Sequence, residues 1–505
     1  MKFSRRGFIG TMAAGMAASA CGGTQASGSQ RKQAKNVIFC AVDGMAVSVA
    51  TIVDGLSRAA HGKPSYWCTL MSEPYATTGL HATRSLSSVV TDSSAASSAW
   101  GCGRRIWNGQ VNMFPDGTSL RTLHELFHEK GIRTGLVTTT TVTHATPAGF
   151  AASVSDRGKE PEIAVQYLDR GVDVLLGGGD RFFSPSLRVD KRDLYGDFAK
   201  AGYAVVKDRS SVIGLKAPKI VGVFSNSHVP YTVDRDNDDA IKSKVPTLAE
   251  MTTAAIENLR GSSEGFLLQI EGGKVDHAGH AADIGGMVFD QMAFEDAVKV
   301  AVDFALADGE TLVIVTADHA TGGPCLNGAG AQYFDSTAGM ESLLKTKGSF
   351  DTVMPKLRAN ATVSGVKDVL NSSYGVEVSD VEAEAVVASI NGEHAMKLSQ
   401  FFRSVNMTLA SVLGNYNKVV FTCLNHTADH VLVTAVGPGS EQCGGLTENT
   451  AFFDMVLATR GMKFENPKMT FEEAQRHIGK MQARVRAERG LYAVADEIEG
   501  HAFGV

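Results

Sequence analysis

TLVIVTADH, residues Thr311–His319, is the stretch on which the fold turns. Its apolar run is too short for a helix and lacks polar alternation, so it reads as a strand buried on both faces. It ends on an acid and an imidazole, Asp318 and His319. The same texture recurs. NVIFCAV (Asn36–Val42) runs into Asp43, and GFLLQIEGG (Gly265–Gly273) carries Glu271 near its end. TGLVTTTTV (Thr134–Val142) and VDVLLGGG (Val172–Gly179) repeat it. Helical patterns lie between, such as SLRTLHELFHEKG (Ser119–Gly131) and MVFDQMAFEDAVKVAVDFALADG (Met287–Gly309). Doubly buried strands alternating with helices predict an α/β fold: three layers, α/β/α, around a central, mostly parallel sheet.

At 505 residues the chain exceeds the usual single-domain size. It is 44% hydrophobic and 20% charged, as soluble globular proteins are. A net charge of −6 and a pI near 6.2 leave no nucleic-acid-binding footprint. The first 21 residues read as an export signal: SRRGFIG (Ser4–Gly10) pairs Arg5 with Arg6 ahead of a modest apolar run, a twin-arginine pattern. ASAC, ending at Cys21, predicts a possible lipid anchor there, and the expected location is the periplasm or cell envelope. Residues 22–35 read as a polar linker. No other stretch approaches the roughly 20 apolar residues of a membrane span. Seven cysteines occur, none in a CxxC pair; lipidation of Cys21 would leave six, whose pairing spacing does not decide.

Residues 36–320 and 419–460 are assigned to the catalytic domain and 321–418 to an insertion or cap, since no strand there ends in a chemical residue. The tail, 461–505, is predicted helical and opens on a capping box, Thr470 with Glu473.

Ligands of open parallel sheets bind beyond the carboxyl ends of the strands, and that is where the acids and imidazoles fall. Asp43, Glu271 with Asp276 and His280, Asp318 with His319, and His426 come from four distant segments. Close carboxylates repel unless cations neutralise them. Mixed Asp and His favour zinc or a similar transition metal, whereas an oxygen-rich subset of Asp43, Glu271 and the Thr146 hydroxyl suits magnesium.

With these residues in view the chain resembles the alkaline phosphatases. NVIFCAVDGM, VTDSSAASSAW, GLVTTTTVTHATPAGFAASVSDR, VDVLLGGGDRFF, IEGGKVDHAGHAAD, TLVIVTADHATGG and NHTADHVLVTAVGPGSE carry the likeness, in order, over about residues 36–322 and 419–455. The resemblance implies hydrolysis of phosphate monoesters through a phosphoserine on Ser93, with two zinc ions and one magnesium ion. Asp276, His280 and His426 would hold one zinc. Asp43, Asp318 and His319 would hold the other, with Ser93 as exchangeable ligand. Asp43 would also bridge to a magnesium held by Thr146 and Glu271. Arg157 would grip the phosphate, oriented by Asp92. His144 and His277 would stand behind the magnesium ligands, bonded to carboxylates or water; the other reading is that they draw a transition metal into the third site. By analogy alone, a homodimer is expected.

Bland readings stand beside these. Ser94 is a possible decoy nucleophile, and His430 a competing ligand better read as opening the next strand. Asp283 reads as a surface acid or helix cap, Lys274 as a solvated side chain, and Trp100 and Trp107 as packing residues. The small residues after Ser93 read as clearance that lets the helix lie close under the strand ends. Competing functions are a phosphodiesterase of the same superfamily, a sulfatase, a phosphoglycerate mutase-like isomerase and a non-catalytic binder. A sulfatase would need a CxPxR signature, which is absent from the sequence.

Overall fold

The computed structural model describes residues 33–393 and 399–489. The expected export signal, Cys21 and nearly all of the linker lie outside the described residues. Ten strands form one sheet: β1 (Asn36–Val42), β2 (Ala76–Ala82), β3 (Arg133–Thr141), β4 (Val174–Gly178), β5 (Ala204–Val206), β6 (Ile220–Val223), β7 (Phe266–Gly272), β8 (Thr311–Ala317), β9 (Val431–Val436) and β10 (Gly445–Glu448). Their order is β10-β2-β9-β8-β1-β7-β3-β4-β6-β5. Every pairing is parallel except those of β9, which runs antiparallel to β8 and to β2. This is the mostly parallel sheet that the apolar runs predict.

The two covered faces can be read off β1 alone. Ile38, Cys40 and Val42 point into one apolar cluster, with Met251, Ala255, Phe294 and Val298. Val37, Phe39 and Ala41 point into the other, with Trp100, Phe127, Phe150 and Phe452. Alternate side chains enter opposite layers because a strand has a period of two. Both layers are apolar, so the strand shows no polar face in sequence. Trp100 is fully buried, its ring 4.9 Å from Phe39.

Residues 350–413 contribute a third apolar cluster, with Phe350, Val353, Leu357, Leu370, Val386 and Leu409. Its helices dock on the sheet-bearing body through buried acids. Asp283 caps the helix Ile284–Asp308, accepting from the Gly286 N–H at 3.0 Å, and also accepts from the Phe350 N–H. It is a cap, but not a surface one: it is 1% exposed. Lys274 also departs from expectation. It is 5% exposed, and its ammonium lies 3.8 Å from the Tyr231 ring centroid and 3.7 Å from Asp351 Oδ2. A cation over an aromatic face needs less water than a bare one.

Burial pushes the Asp283 carboxyl up to about 7. Since its folded value lies above the unfolded one, its stabilising share is complete below about pH 4 and is lost as pH rises through about 7. Asp283→Asn is therefore expected to gain stability relative to the parent across that window, by about 1.4 kcal/mol per pH unit at most. Urea unfolding of both proteins at pH 5 and pH 8 checks this; a pH-independent difference would refute it.

Candidate active site

Register sets the carboxylates side by side. In β1, Val42 pairs with Gly272 of β7 and Ala317 of β8, so Asp43 leaves the sheet next to Asp318. Glu271 pairs with Ala41 on one side and Thr138 of β3 on the other. His426 arrives differently. It precedes β9, and an antiparallel strand starts at the edge where its parallel neighbours end.

Ser93 opens the helix α1 (Ser93–Cys102), which is fully buried. Asp92 is its N-cap: Oδ1 accepts from the Ala95 N–H at 2.9 Å. The Oδ2 atom accepts from the Ser94 hydroxyl at 2.7 Å and the Gly109 N–H at 2.8 Å. Ser94 thus serves the cap. The helix ends at Gly103, whose φ of 69° is left-handed. The small residues do give clearance, against a second helix, α2 (Ala145–Ala151). A Cβ on Gly101 would lie 1.8 Å from the Gly149 carbonyl oxygen, and one on Gly149 would lie 2.3 Å from Ser97 Oγ. Ser97 donates to the Thr146 carbonyl at 2.6 Å, so the contact also fixes Thr146.

Three donor clusters result, each with ligating atoms within 4.8 Å of one another: Asp276, His280 and His426; Asp43, Asp318 and His319; and Asp43, His144 and Glu271. Hydrogen-bond direction fixes the first two chemically. A carbonyl oxygen only accepts. The Nδ1 of His280 faces the Leu424 carbonyl at 2.6 Å and that of His426 faces the Thr91 carbonyl at 2.7 Å, so both carry their proton on Nδ1. Their bare Nε2 atoms then face each other at 3.0 Å, each within 3.5 Å of an Asp276 oxygen.

His319 repeats the pattern. The Thr321 hydroxyl donates to Asp276 Oδ1 and accepts from His319 Nδ1 at 3.3 Å. The bare His319 Nε2 is 3.2 Å from Asp318 Oδ2, 3.5 Å from Asp43 Oδ1 and 3.2 Å from Ser93 Oγ. The His319 and His426 rings stack at 3.6 Å, which joins the two clusters. Burial holds His280 and His319 below the ordinary histidine range, the second strongly. Burial and the Asp318, Asp276 and Glu271 carboxylates push Asp43 far up, and burial carries Asp318 to about 7.

Lone pairs facing lone pairs in a dry site call for a cation. Asp318 Oδ2 is buried without a hydrogen-bond partner beside the bare His319 Nε2 at 3.2 Å. The donor sets thus fit metal ions, the first two nitrogen-bearing and suited to zinc. Thr146 Oγ1 lies 3.5 Å from Asp43 Oδ2. Glu271 Oε2 accepts from the Thr138 hydroxyl and, at 3.0 Å, from Thr140.

Arg157 lies 3.5 Å from Asp92 Oδ2 through Nη1, and its Nη2 is 3.0 Å from His144 Nε2. His144 stands closer to the oxygen ligands than its expected place behind them: its Nδ1 is 3.6 Å from Glu271 Oε1 and 4.0 Å from Asp43 Oδ2. His277 packs edge-to-face on His144 at 5.7 Å. The exposed His430 belongs to none of the three clusters and directly precedes β9. Trp107 stacks on Phe471, which opens the helix Phe471–Arg489.

The sequence model of the alkaline phosphatase family matches residues 34–462. This chain belongs to the alkaline phosphatase family. Alkaline phosphatase 3 of Bacillus subtilis (strain 168) is 34% identical over 367 residues, covering 72% of this chain and 75% of that protein. The crystal structure of Thermus thermophilus alkaline phosphatase matches with a TM-score of 0.83 at 35% identity, covering 92% of this chain and all of that one. A histidine-to-aspartate variant of the alkaline phosphatase from the Antarctic bacterium TAB5, with magnesium in its M3 site, matches at 0.60 and 25% identity, covering 86% of this chain. Alkaline phosphatases are phosphoric monoester hydrolases, and this chain is one of them.

For this alkaline phosphatase two site residues escape a reading of acids and strand ends. Thr321 bridges the first two clusters. Its signal was available, because in an extended segment it falls two residues after His319, on the same side. His228 gave no signal; SNSHVP resembles any loop. Its ring packs 4.4 Å from His277, and its Nδ1 accepts from the Thr141 N–H at 3.1 Å.

Thr321→Val is expected to weaken metal binding at the first two clusters by about 10-fold or more, the usual cost of losing a partner behind a metal ligand. Competition with a chromophoric chelator measures this; unchanged affinity would show the bridge to be idle.

Proposed function

We propose that this protein is an exported alkaline phosphatase that transfers the phosphoryl group of a monoester to Ser93 and then to water. Asp276, His280 and His426 would hold one zinc, and Asp43, Asp318 and His319 the second. Asp43, Thr146 and Glu271 would hold magnesium. Bound metal supplies Lewis-acid stabilisation of charge on oxygen, which this chain's carboxylates by themselves would oppose.

The observation that carries the reading is the setting of Ser93. Its hydroxyl lies 3.2 Å from a bare imidazole nitrogen and 3.5 Å from Asp43, in a site where it has little else to bond. A serine needs such surroundings to become a nucleophile. It also sits in the first turn of a ten-residue helix, where free N–H groups favour an anion. Arg157 offers a planar fork matched to two phosphate oxygens, and Asp92 tethers one arm of it. His319 holds its proton on Nδ1, toward Thr321, so Nε2 faces Ser93 as an acceptor.

Export rests on the twin arginines Arg5 and Arg6, anchoring on Cys21, and homodimerisation on family analogy. Among the described residues no helix is long and apolar enough to cross a membrane. The alternative, a phosphodiesterase, is separated by rates on 4-nitrophenyl phosphate and its bis-ester. The monoester is expected to react far faster; a faster diester would reverse the assignment.

A further inference from the structure

Gly109 joins Asp92 to Arg157. Its N–H donates to Asp92 Oδ2 at 2.8 Å, and its carbonyl accepts from the Arg157 N–H at 2.8 Å. The residue before it adds two bonds. Asn108 Oδ1 accepts from the Asp92 N–H at 3.4 Å, and Asn108 Nδ2 donates to the Val90 carbonyl at 3.1 Å. Trp107 opens this turn, its carbonyl accepting from the Gln110 N–H at 3.2 Å. Where Asp92 and Arg157 stand relative to Ser93 therefore depends on what holds residues 107–109.

That hold comes from the far end of the chain. Residues 465–471, which follow the family-matched residues 34–462, bind the exit of α1. The buried Asn466 accepts from the Arg121 N–H and donates to the carbonyls of Cys102 and Arg121, each at 2.8 Å. The Cys102 carbonyl is one that a helix end leaves unpaired. Arg104 Nε donates back to the Asn466 carbonyl at 2.8 Å. Met469 packs on the apolar cluster of Ala95, Cys102, Ile106, Phe114 and Leu120. Phe471 then stacks on Trp107, with ring centroids 5.7 Å apart and planes 14° apart. Phe471 is itself anchored, because the expected capping box is formed. Glu473 Oε2 accepts from the Thr470 N–H at 2.7 Å, and Thr470 Oγ1 accepts from the Glu473 N–H at 3.2 Å.

We propose that residues 465–471 are a strap on the phosphate site and that Phe471 is a positioning residue: through Trp107 it fixes the turn that sets Asp92 and Arg157. The inference deepens the phosphatase reading above and rests on its assignment of Arg157 to phosphate. Phe471 is 39% exposed, so its ring buries less than a core aromatic does, and Asn466 and Met469 secure the strap without it. Loss of the ring therefore frees the turn and leaves the strap in place. Gly109 then no longer keeps Asp92 and the Arg157 backbone at a fixed separation, and the guanidinium loses its aim. Ser93 is affected less, since α1 carries it directly.

The test is a double-mutant cycle on the full-length, metal-loaded enzyme, with inorganic phosphate as the ligand read by calorimetry. Phe471→Ala is expected to weaken phosphate binding about 10-fold, the scale of one hydrogen bond to a charged group. KM on 4-nitrophenyl phosphate should rise with it and kcat should fall by no more than about twofold, the mark of lost binding common to substrate and transition state. Phe471→Trp keeps a ring for the stack and should hold phosphate within about twofold of the parent. In an Arg157→Ala background, adding Phe471→Ala should change phosphate affinity by less than about twofold, because residues acting through one another are not additive. A merely structural role would give the same loss in both backgrounds. That result, unchanged affinity in Phe471→Ala, or failure of Phe471→Trp to retain affinity would overturn the inference alone. Parent-like phosphate binding by Arg157→Ala would overturn the assignment of Arg157 and the inference with it.

Discussion

Ser93→Ala is expected to lower kcat/KM on 4-nitrophenyl phosphate by about 10^4-fold or more, the scale on which enzymes lose rate with their nucleophile. Inorganic phosphate should still bind, because Arg157 and the N-terminal amides of the helix remain. The neighbouring serine is the control. Ser94 donates to the buried Asp92 Oδ2, which also accepts from the Gly109 N–H. Ser94→Ala removes one of these bonds and costs about 1–3 kcal/mol of support for the cap, about 10- to 100-fold in rate if all of it reached the transition state. The contrast between the two variants is therefore at least about 100-fold. Trapping of phosphate on the protein at acid pH supplies a second reading: Ser94→Ala retains it and Ser93→Ala does not. The reverse pattern would move the nucleophile by one residue.

Removing the metal with a chelator is expected to abolish turnover and to destabilise the fold by about 4 kcal/mol for each ion held at about 1,000 times its dissociation constant. The cause is electrostatic. Asp43, Glu271 and Asp318 are fully buried within one corner of the sheet, and without cations they repel. The pH dependence follows with its sign. Burial holds Asp318 at about 7 and Asp43 far above its ordinary value, so at these two carboxyls the folded metal-free protein binds more protons than the unfolded chain, while the lowered His280 and His319 act in the opposite sense only up to the ordinary histidine range of about 6.5. That contribution to stability is complete below about pH 4 and is lost as pH rises through about 7. The metal-free protein should therefore unfold at lower urea at pH 8 than at pH 5, and metal should protect most at the higher pH. Equal midpoints with and without chelator at pH 8 would contradict the buried-cluster account.

The placement of the strand-end carboxylates was legible because a parallel sheet delivers strand ends to one edge. Asp43, Glu271 and Asp318 stand at the ends of apolar runs, and hydrophobic burial fixes those runs without help from distant residues. Ser93 and Asp92 were legible because a cap and its helix are local. Lys274 and Asp283 misled for the opposite reason. Charge in a sequence predicts exposure, and both are buried because Tyr231 and Phe350 arrive from elsewhere to receive them. The small residues of α1 announced clearance but not its beneficiary; Gly149 of α2 fills it.

The sequence by itself determined the layered α/β fold, the family and which residues can carry the chemistry, since these depend on side-chain periodicity and residue type. The tertiary structure decided the proton positions. Whether His280, His319 and His426 offer bare nitrogens depends on carbonyls and a hydroxyl contributed by residues 424, 321 and 91. Tautomers follow from hydrogen-bond direction in three dimensions, and no spacing along the chain encodes it.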